Sequence, residues 1–287
     1  MDMRCTMNIR TYHSSDVVNE TASPNQYGTI KNTDKIYLEN NELEDIKLEQ
    51  TTIWSFPKRG NWSTHKGNFR GNWAPQVPRN LILMYSNERE TVLDPMVGSG
   101  TTLIECKLLN RNAIGYDINP ENVQLTKQRL NFEGSDSNVI VEVGDARKLS
   151  KIENESIDLI TNHPPYANII QYSNGMLEGD LSNISDINRF CDEIELVAIE
   201  FFRVLKPGKF CAILIGSTRK NGMFIPIPHM VLDRFLRVGF VLKEEIIKQQ
   251  HNCGSNQYWG SRSARFNFLL IMHEHLFVFK KGEKNGK

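Results

Sequence analysis

The chain has 287 residues, 39% of them hydrophobic and 24% charged, with 34 Lys plus Arg against 34 Asp plus Glu. That suits one large globular domain, or one domain with an appendage, and excludes a disordered or fibrous chain. Five scattered cysteines without a C-x-x-C pair suggest neither a disulfide framework nor a zinc site, and a polar N-terminus with short apolar runs predicts a cytoplasmic protein without a membrane span.

The neutral total hides local polarity. From Gln50 to Asn87 there is no acid, while Lys58, Arg59, Lys66, Arg70 and Arg79 are present, and from Ile246 to Met272 there is again none, with Lys248, Arg262 and Arg265. Such stretches suit a face that meets phosphates.

In chain order, residues 1–50 are polar and predict an arm, with a short acidic helix over Leu38–Leu48; residues 51–287 predict the folded domain. The segment 51–74 is rich in Trp, Phe, Gly, Asn and basic side chains and reads as loop, and Pro78–Ser86 starts a helix. Strands and helices then alternate. Strands are predicted over Thr91–Asp94, Ala113–Asp117, Val139–Val143, Ile157–Thr161 and Phe210–Ile215. The helices are Thr101–Asn110, Pro120–Leu130, Ile187–Val204 (stopped by Lys206-Pro207-Gly208) and His229–Val238. Val241–Lys248 and Phe268–Phe279 read as a final antiparallel pair. The alternation predicts an α/β fold with a mostly parallel, doubly wound sheet covered on both faces.

The first chemical motif is Asp94-Pro95-Met96-Val97-Gly98-Ser99-Gly100-Thr101-Thr102. A strand followed by G-S-G lets backbone approach a ligand closely, and the next helix aims its N-terminal amides there. Asp117 closes the second strand, where a carboxylate takes ribose hydroxyls in such sheets. Asp145, after the third strand, suits an adenine amino group. The bland reading is a tight turn and three ordinary strand-end acids. The G-x-G-x-x-G spacing of dinucleotide enzymes fails, because Leu103 stands where its third glycine would.

The second motif, His163-Pro164-Pro165-Tyr166, follows Asn162 at a strand end. Two prolines stiffen the turn. Tyr166 offers a face on which a flipped base can stack, and His163, or alternatively Asn162, can accept a hydrogen bond from an amino group. Its bland reading is a strand-ending turn that carries two prolines.

Together these motifs resemble the amino-methylating DNA methyltransferases, which modify adenine N6 or cytosine N4 with S-adenosylmethionine (SAM). Asp94–Thr102 is similar to that family's D-P-F-x-G-S-G-T-T box. His163–Tyr166 stands where the family carries Asp, Asn or Ser, then P-P, then Tyr or Phe. Gly71–Pro78, G-N-W-A-P-Q-V-P, resembles the G-N-H-P-T-Q-K-P box that touches the SAM methionine. Leu205–Gly208 and His273–Phe279 resemble further landmarks, so the likeness spans residues 54 to 281 in a gamma-type box order. It implies a Rossmann-like methyltransferase fold with an antiparallel C-terminal strand. It also implies SAM held by Asp94, Pro95, Gly98, Ser99, Gly100, Thr101, Asp117, Asp145 and Asn162, and chemistry at His163, Pro164, Pro165 and Tyr166. The departure is His163 in place of Asp, Asn or Ser, which removes the usual hint about the base.

The implied partner is double-stranded DNA, and a cognate restriction endonuclease is implied by the resemblance alone. No long recognition domain follows the boxes, so residues 167–186 and His251–Asn267 are the candidate readers. Tyr258 and Trp259 suit stacking and Arg262 and Arg265 suit bases or phosphates; the alternative for the second segment is a solvated loop. Arg59, Lys66 and Arg70 form a candidate phosphate clamp or a lid over SAM, and the alternative is an aromatic loop packed as local core. SAM chemistry needs no metal, and His65, His229 and His251 lack partners at metal-ligand spacing. Two other enzymes stay open: a tRNA guanosine-N2 methyltransferase, and a cytosine-C5 enzyme using Cys106, which reads better as a small core residue. A silent nucleic-acid binder is the third alternative.

Overall fold

A computed structural model describes residues 48–173, 175–252 and 255–283. The expected arm and its acidic helix before residue 48, with Cys5 and Cys253, lie outside the described residues.

Eight strands form one sheet: β1 (Ile53–Trp54), β2 (Thr91–Asp94), β3 (Asn112–Asp117), β4 (Val139–Val143), β5 (Ile157–Asn162), β6 (Leu205–Gly216), β9 (Val241–Gln249) and β10 (His273–Lys280). Their order is β1-β9-β10-β6-β5-β2-β3-β4, and β10 alone runs antiparallel to its neighbours. A two-stranded hairpin, β7 (Thr218–Lys220) with β8 (Met223–Ile225), stands apart from it. The chain leaves β2 towards β3 and β4, then crosses back to β5 on the other side of β2. The carboxyl ends of β2 and β5 therefore flank a topological switch point, where open α/β sheets bind ligands.

The helices are α1 (Gln76–Tyr85), α2 (Thr101–Leu108), α3 (Pro120–Arg129), α4 (Ile187–Val204), α5 (Ile227–Val238) and α6 (Ser255–Ser263). Local chemistry sets their ends. The Asn119 side chain accepts from the Glu121 amide to cap α3, with Pro120 in the first turn. Asp186 caps α4 through the Arg189 amide, and Gly239, at φ 114°, ends α5. On α4 the buried Phe190, Cys191, Ile194, Val197, Ala198 and Phe201 recur at helical spacing and make its inner stripe.

Two cores lie on opposite faces of the sheet. β10 serves both: Phe277 and Phe279 pack with Phe201 and Phe235 below α4 and α5, while Leu276 and Val278 pack with Leu81, Ile82 and Leu103 below α1 and α2. Alternation along a strand buried on both faces is the cause. Among the described residues no helix is long and apolar enough to cross a membrane.

Three expectations need correction. His251–Asn267 is not plain loop, since it contains α6. The last strand begins at His273 rather than Phe268, and β6 begins directly after α4 at Leu205, with the Lys206-Pro207-Gly208 stop inside it.

Candidate active site

The loop after β2 is built around two glycines with positive φ, Gly98 at 51° and Gly100 at 83°. A Cβ on Gly100 would lie 2.8 Å from Thr126 Cγ2 on α3, so a larger residue cannot enter without moving a helix. Asp94 ends β2 and accepts from the Thr102 hydroxyl and, at 3.1 Å, from the Met96 amide. Burial pushes its carboxyl up to about 7 despite these bonds. Asp117 ends β3 and takes the amides of Gly98 and Asn119, both at 2.9 Å, and the Asn122 side chain at 3.1 Å. It joins the tips of two neighbouring strands, and burial raises its pKa too.

These groups open onto a cleft whose empty space, counted out into its mouth, is about 850 Å³. Its lining includes four carboxylates, Asp94, Asp117, Asp145 and Asp180, and neither a lysine nor an arginine among the described residues. Such a cavity selects a cation. Ser99 Oγ, also in the wall, is buried without a hydrogen-bond partner among the described residues. A ligand with a sulfonium, an ammonium and polar oxygens, as in SAM, fits this wall. Asp145 reaches the cleft with its oxygens bound by Arg147, at 3.0 Å from Nε and 2.6 Å from Nη2. Burial opposes its ionisation, and the Arg147 bonds outweigh it and hold the pKa below the usual range.

Of the residues expected to hold SAM, Asp94, Pro95, Gly98, Ser99, Asp117 and Asp145 line the cleft. Gly100 shapes the loop from behind. The Thr101 hydroxyl is engaged by Asn72 Oδ1 at 2.6 Å, which ties the Gly71–Pro78 box to α2. Gly71, Asn72 and Trp73 of that box are in the wall. Asn162 is fully buried, its Nδ2 directed at the Met96 sulfur and its Oδ1 without a partner among the described residues.

At the tip of β5, His163 and Pro165 line the same cleft, while Pro164 is buried. The His163 ring stacks on Trp73, centroids 5.3 Å apart and planes 19° apart. Its Nε2 lies 2.6 Å from Tyr166 Oη, which donates to Glu274 Oε1 at 2.6 Å, and Lys248 Nζ donates to Glu274 Oε2 at 2.8 Å. Tyr166 is packed so tightly that a Cβ on Gly216 would meet its ring at 2.7 Å. Burial lowers the His163 pKa to about 4, so its imidazole is neutral at physiological pH. The buried Ala167 follows at φ 50°, a strained conformation for a residue with a Cβ.

Sequence comparison agrees with this geometry. Residues 86–251 match the family model described as a methyltransferase domain, and residues 10–128 match the one described as DNA methylase. The chain belongs to the methyltransferase family. The Type II methyltransferase M.HpaI of Haemophilus parainfluenzae is 54% identical over 59 residues, 20% of this chain and 19% of that one. M.MjaI of Methanocaldococcus jannaschii is 30% identical over 165 residues, 49% of this chain and 54% of that one. The chain thus spans about half or less of these curated relatives. A crystal structure of a SAM-dependent methyltransferase from Methanosarcina mazei superposes with a TM-score of 0.50 at 16% identity, covering 70% of this chain and 96% of that one; this likeness concerns the fold. The motif resemblance to amino-methylating, SAM-dependent DNA methyltransferases stands, with SAM as cofactor.

In this methyltransferase the aromatic, basic segment before α1 is anchored from beneath. Glu105 of α2, fully buried, accepts from Trp62 Nε1 at 2.7 Å and Arg79 Nη1 at 2.8 Å and lies 2.6 Å from His65 Nε2. Burial works against its charge, and Arg79 and His65 overcome it, leaving its pKa lowered. His65 is thus buried and Trp62 half-buried against α2, while Lys66 and Arg70 are exposed. Arg59 differs from that pair: it is half-buried, bonded to Asn72 O at 3.2 Å, and burial lowers its pKa.

The second basic segment lies after β9, at the carboxyl edge that carries the cleft. Tyr258 and Trp259 are exposed on α6, and the Arg262 guanidinium sits 3.7 Å from the Tyr258 ring centroid. Arg265 and Phe266 are exposed beyond it. Arg219 of β7 donates to Leu269 O at 2.8 Å and stacks on Phe224 and Phe268, which joins the hairpin to this face. Residues 167–186 also wall the cleft, through Tyr172, Gly179, Asp180 and Leu181. Tyr172 stacks with Phe69 at 6.2 Å.

Three site features escaped the sequence, Glu274, Asp180 and the hairpin, and Lys248, read there as part of a phosphate-facing stretch, is instead half-buried and bonded to Glu274. His229 also needs correction, because its ligand atoms, those of Glu245 and those of His275 lie within 4.8 Å of one another. None of the three lines the cleft. Cys106 is buried, its thiol pushed well up by burial, and it too is absent from the wall.

Proposed function

We propose that this methyltransferase moves a methyl group from SAM to an exocyclic amino nitrogen, cytosine N4 or adenine N6, of a base flipped from double-stranded DNA, as the modification enzyme of a restriction-modification system. The observation that carries the reading is a neutral imidazole, His163, in the wall of a cleft whose charged groups are otherwise acids. Bound SAM supplies a methyl group already activated by a sulfonium. Asp94, Asp117 and Asp145 balance its charge and hold its polar groups. His163 accepts an amino hydrogen of the target base, which directs the nitrogen lone pair towards the methyl group. Pro164 and Pro165 stiffen the turn, and Tyr166, which the cleft wall does not include, backs His163 through its hydroxyl rather than offering the base its ring. Catalysis of this kind is mainly orientation and charge placement.

The acid-free stretches 50–87 and 246–272 support a nucleic-acid partner. Lys66 and Arg70 in the first and Arg262 and Arg265 in the second suit phosphates, and Tyr258 and Trp259 suit bases. A cytosine-C5 mechanism needs a thiolate in the cleft, and the buried Cys106 is unsuited to that. The test is incubation with methyl-labelled SAM and either unmethylated double-stranded DNA or bulk tRNA. Label in DNA is expected, and label confined to tRNA overturns the reading.

A further inference from the structure

An oxygen at the first position of the P-P-Y turn, from Asp, Asn or Ser, accepts a hydrogen bond whatever its surroundings. A neutral imidazole has a single acceptor nitrogen, and which one it is depends on the tautomer. His163 therefore requires something that fixes its proton, and the groups behind it meet that requirement.

We propose that Glu274 is a positioning residue: through Tyr166 it holds His163 as the Nε2–H tautomer, which leaves Nδ1 as the acceptor for the exocyclic amino hydrogen. This rests on the function proposed above. The Lys248 ammonium above all outweighs the burial of Glu274 and keeps it ionised, so it can only accept. The one Tyr166 proton goes to Glu274 Oε1 at 2.6 Å. Tyr166 Oη can then only accept from His163, 2.6 Å away, so Nε2 must carry the imidazole proton. The Trp73 stack holds the ring plane, while the relay holds the proton. β5 and the turn after it supply His163 and Tyr166, and antiparallel β10 pairs Glu274 directly with Lys248 of β9.

The step balances. The amino nitrogen uses its lone pair to form the N–C bond as the S–C bond breaks, and sulfur keeps that electron pair. The proton shed by nitrogen passes to His163 Nδ1 and on to water. The Glu274 charge behind Tyr166 favours that transient imidazolium. An acid that sets a catalytic imidazole's tautomer can be worth orders of magnitude in rate.

The test is Glu274→Gln, with Tyr166→Phe as a second variant that spares the Glu274–Lys248 pair if the first does not fold. The carboxamide introduced by Glu274→Gln offers Tyr166 no obligatory acceptor, which frees the tyrosine proton to point at His163. Imidazole ¹⁵N resonances of His163 are expected to report Nε2–H in the parent protein and a rise of the Nδ1–H form in both variants. kcat is expected to fall about 10- to 100-fold, with the DNA KM and SAM Kd within about twofold. Unchanged tautomer populations, or a shifted tautomer with kcat unaltered, overturn the proposal. If the parent protein transfers no methyl to DNA, the functional reading fails, while the tautomer measurement still decides whether Glu274 sets the imidazole proton.

Discussion

Asp94 carries the clearest consequence of the cleft's chemistry. Its carboxyl is buried and titrates near 7, so the apo protein loses a negative charge from the cleft as pH falls through that value. A cationic ligand prefers the ionised form. SAM affinity is therefore expected to weaken about tenfold from pH 8 to pH 6, and Asp94→Asn should bind more weakly and lose most of that dependence. Calorimetric titration of both proteins checks this; parallel pH profiles would contradict it. At this scale the strand-end acids and the H-P-P-Y turn are legible in the sequence, because each sits at a fixed offset from a strand. Glu274 and Asp180 are not. No local pattern links position 274 to position 163, and only the antiparallel closing strand and the Tyr166 hydroxyl join them.

Elements position these residues, and α2 does so twice. Its N-terminus carries the Asp94–Thr102 loop, and Glu105 on its inner side holds the segment that supplies Phe69 and Trp73 to the cleft wall. Glu105→Ala leaves Arg79 buried without its partner. Loss of about 3–5 kcal/mol is expected in urea unfolding, together with weaker SAM binding. A change below about 1 kcal/mol would show that the network is dispensable. The β-α alternation from Thr91 to Val238 is readable because apolar runs, caps and prolines agree with one another. α6 is not, because Ser, Asn and Gly, which make up most of it, are poor helix formers, and neither is the hairpin, because three-residue strands carry too little periodicity to detect.

Over the whole molecule, a formal charge of zero conceals a cleft walled by acids and two acid-free stretches of sequence, 50–87 and 246–272, that carry basic side chains. On the function proposed above, charge separates two ligands, a cationic cofactor in the cleft and a polyanion on the basic segments. Replacing Arg262 and Arg265 together by alanine should weaken DNA binding and reduce the slope of log affinity against log salt by about 2. Fluorescence anisotropy in a salt series measures this, and an unchanged slope would remove α6 and its flank from the DNA face. SAM binding should be unaffected, since neither arginine lines the cleft.

On the proposed function, the methyl group goes to an exocyclic amino nitrogen. The direct measurement is nucleoside mass spectrometry of DNA digested after incubation with the enzyme and isotopically labelled SAM. Label in N4-methylcytosine or N6-methyladenine is the expected result; label in 5-methylcytosine would contradict the account, because it demands a thiolate nucleophile that the buried Cys106 does not provide.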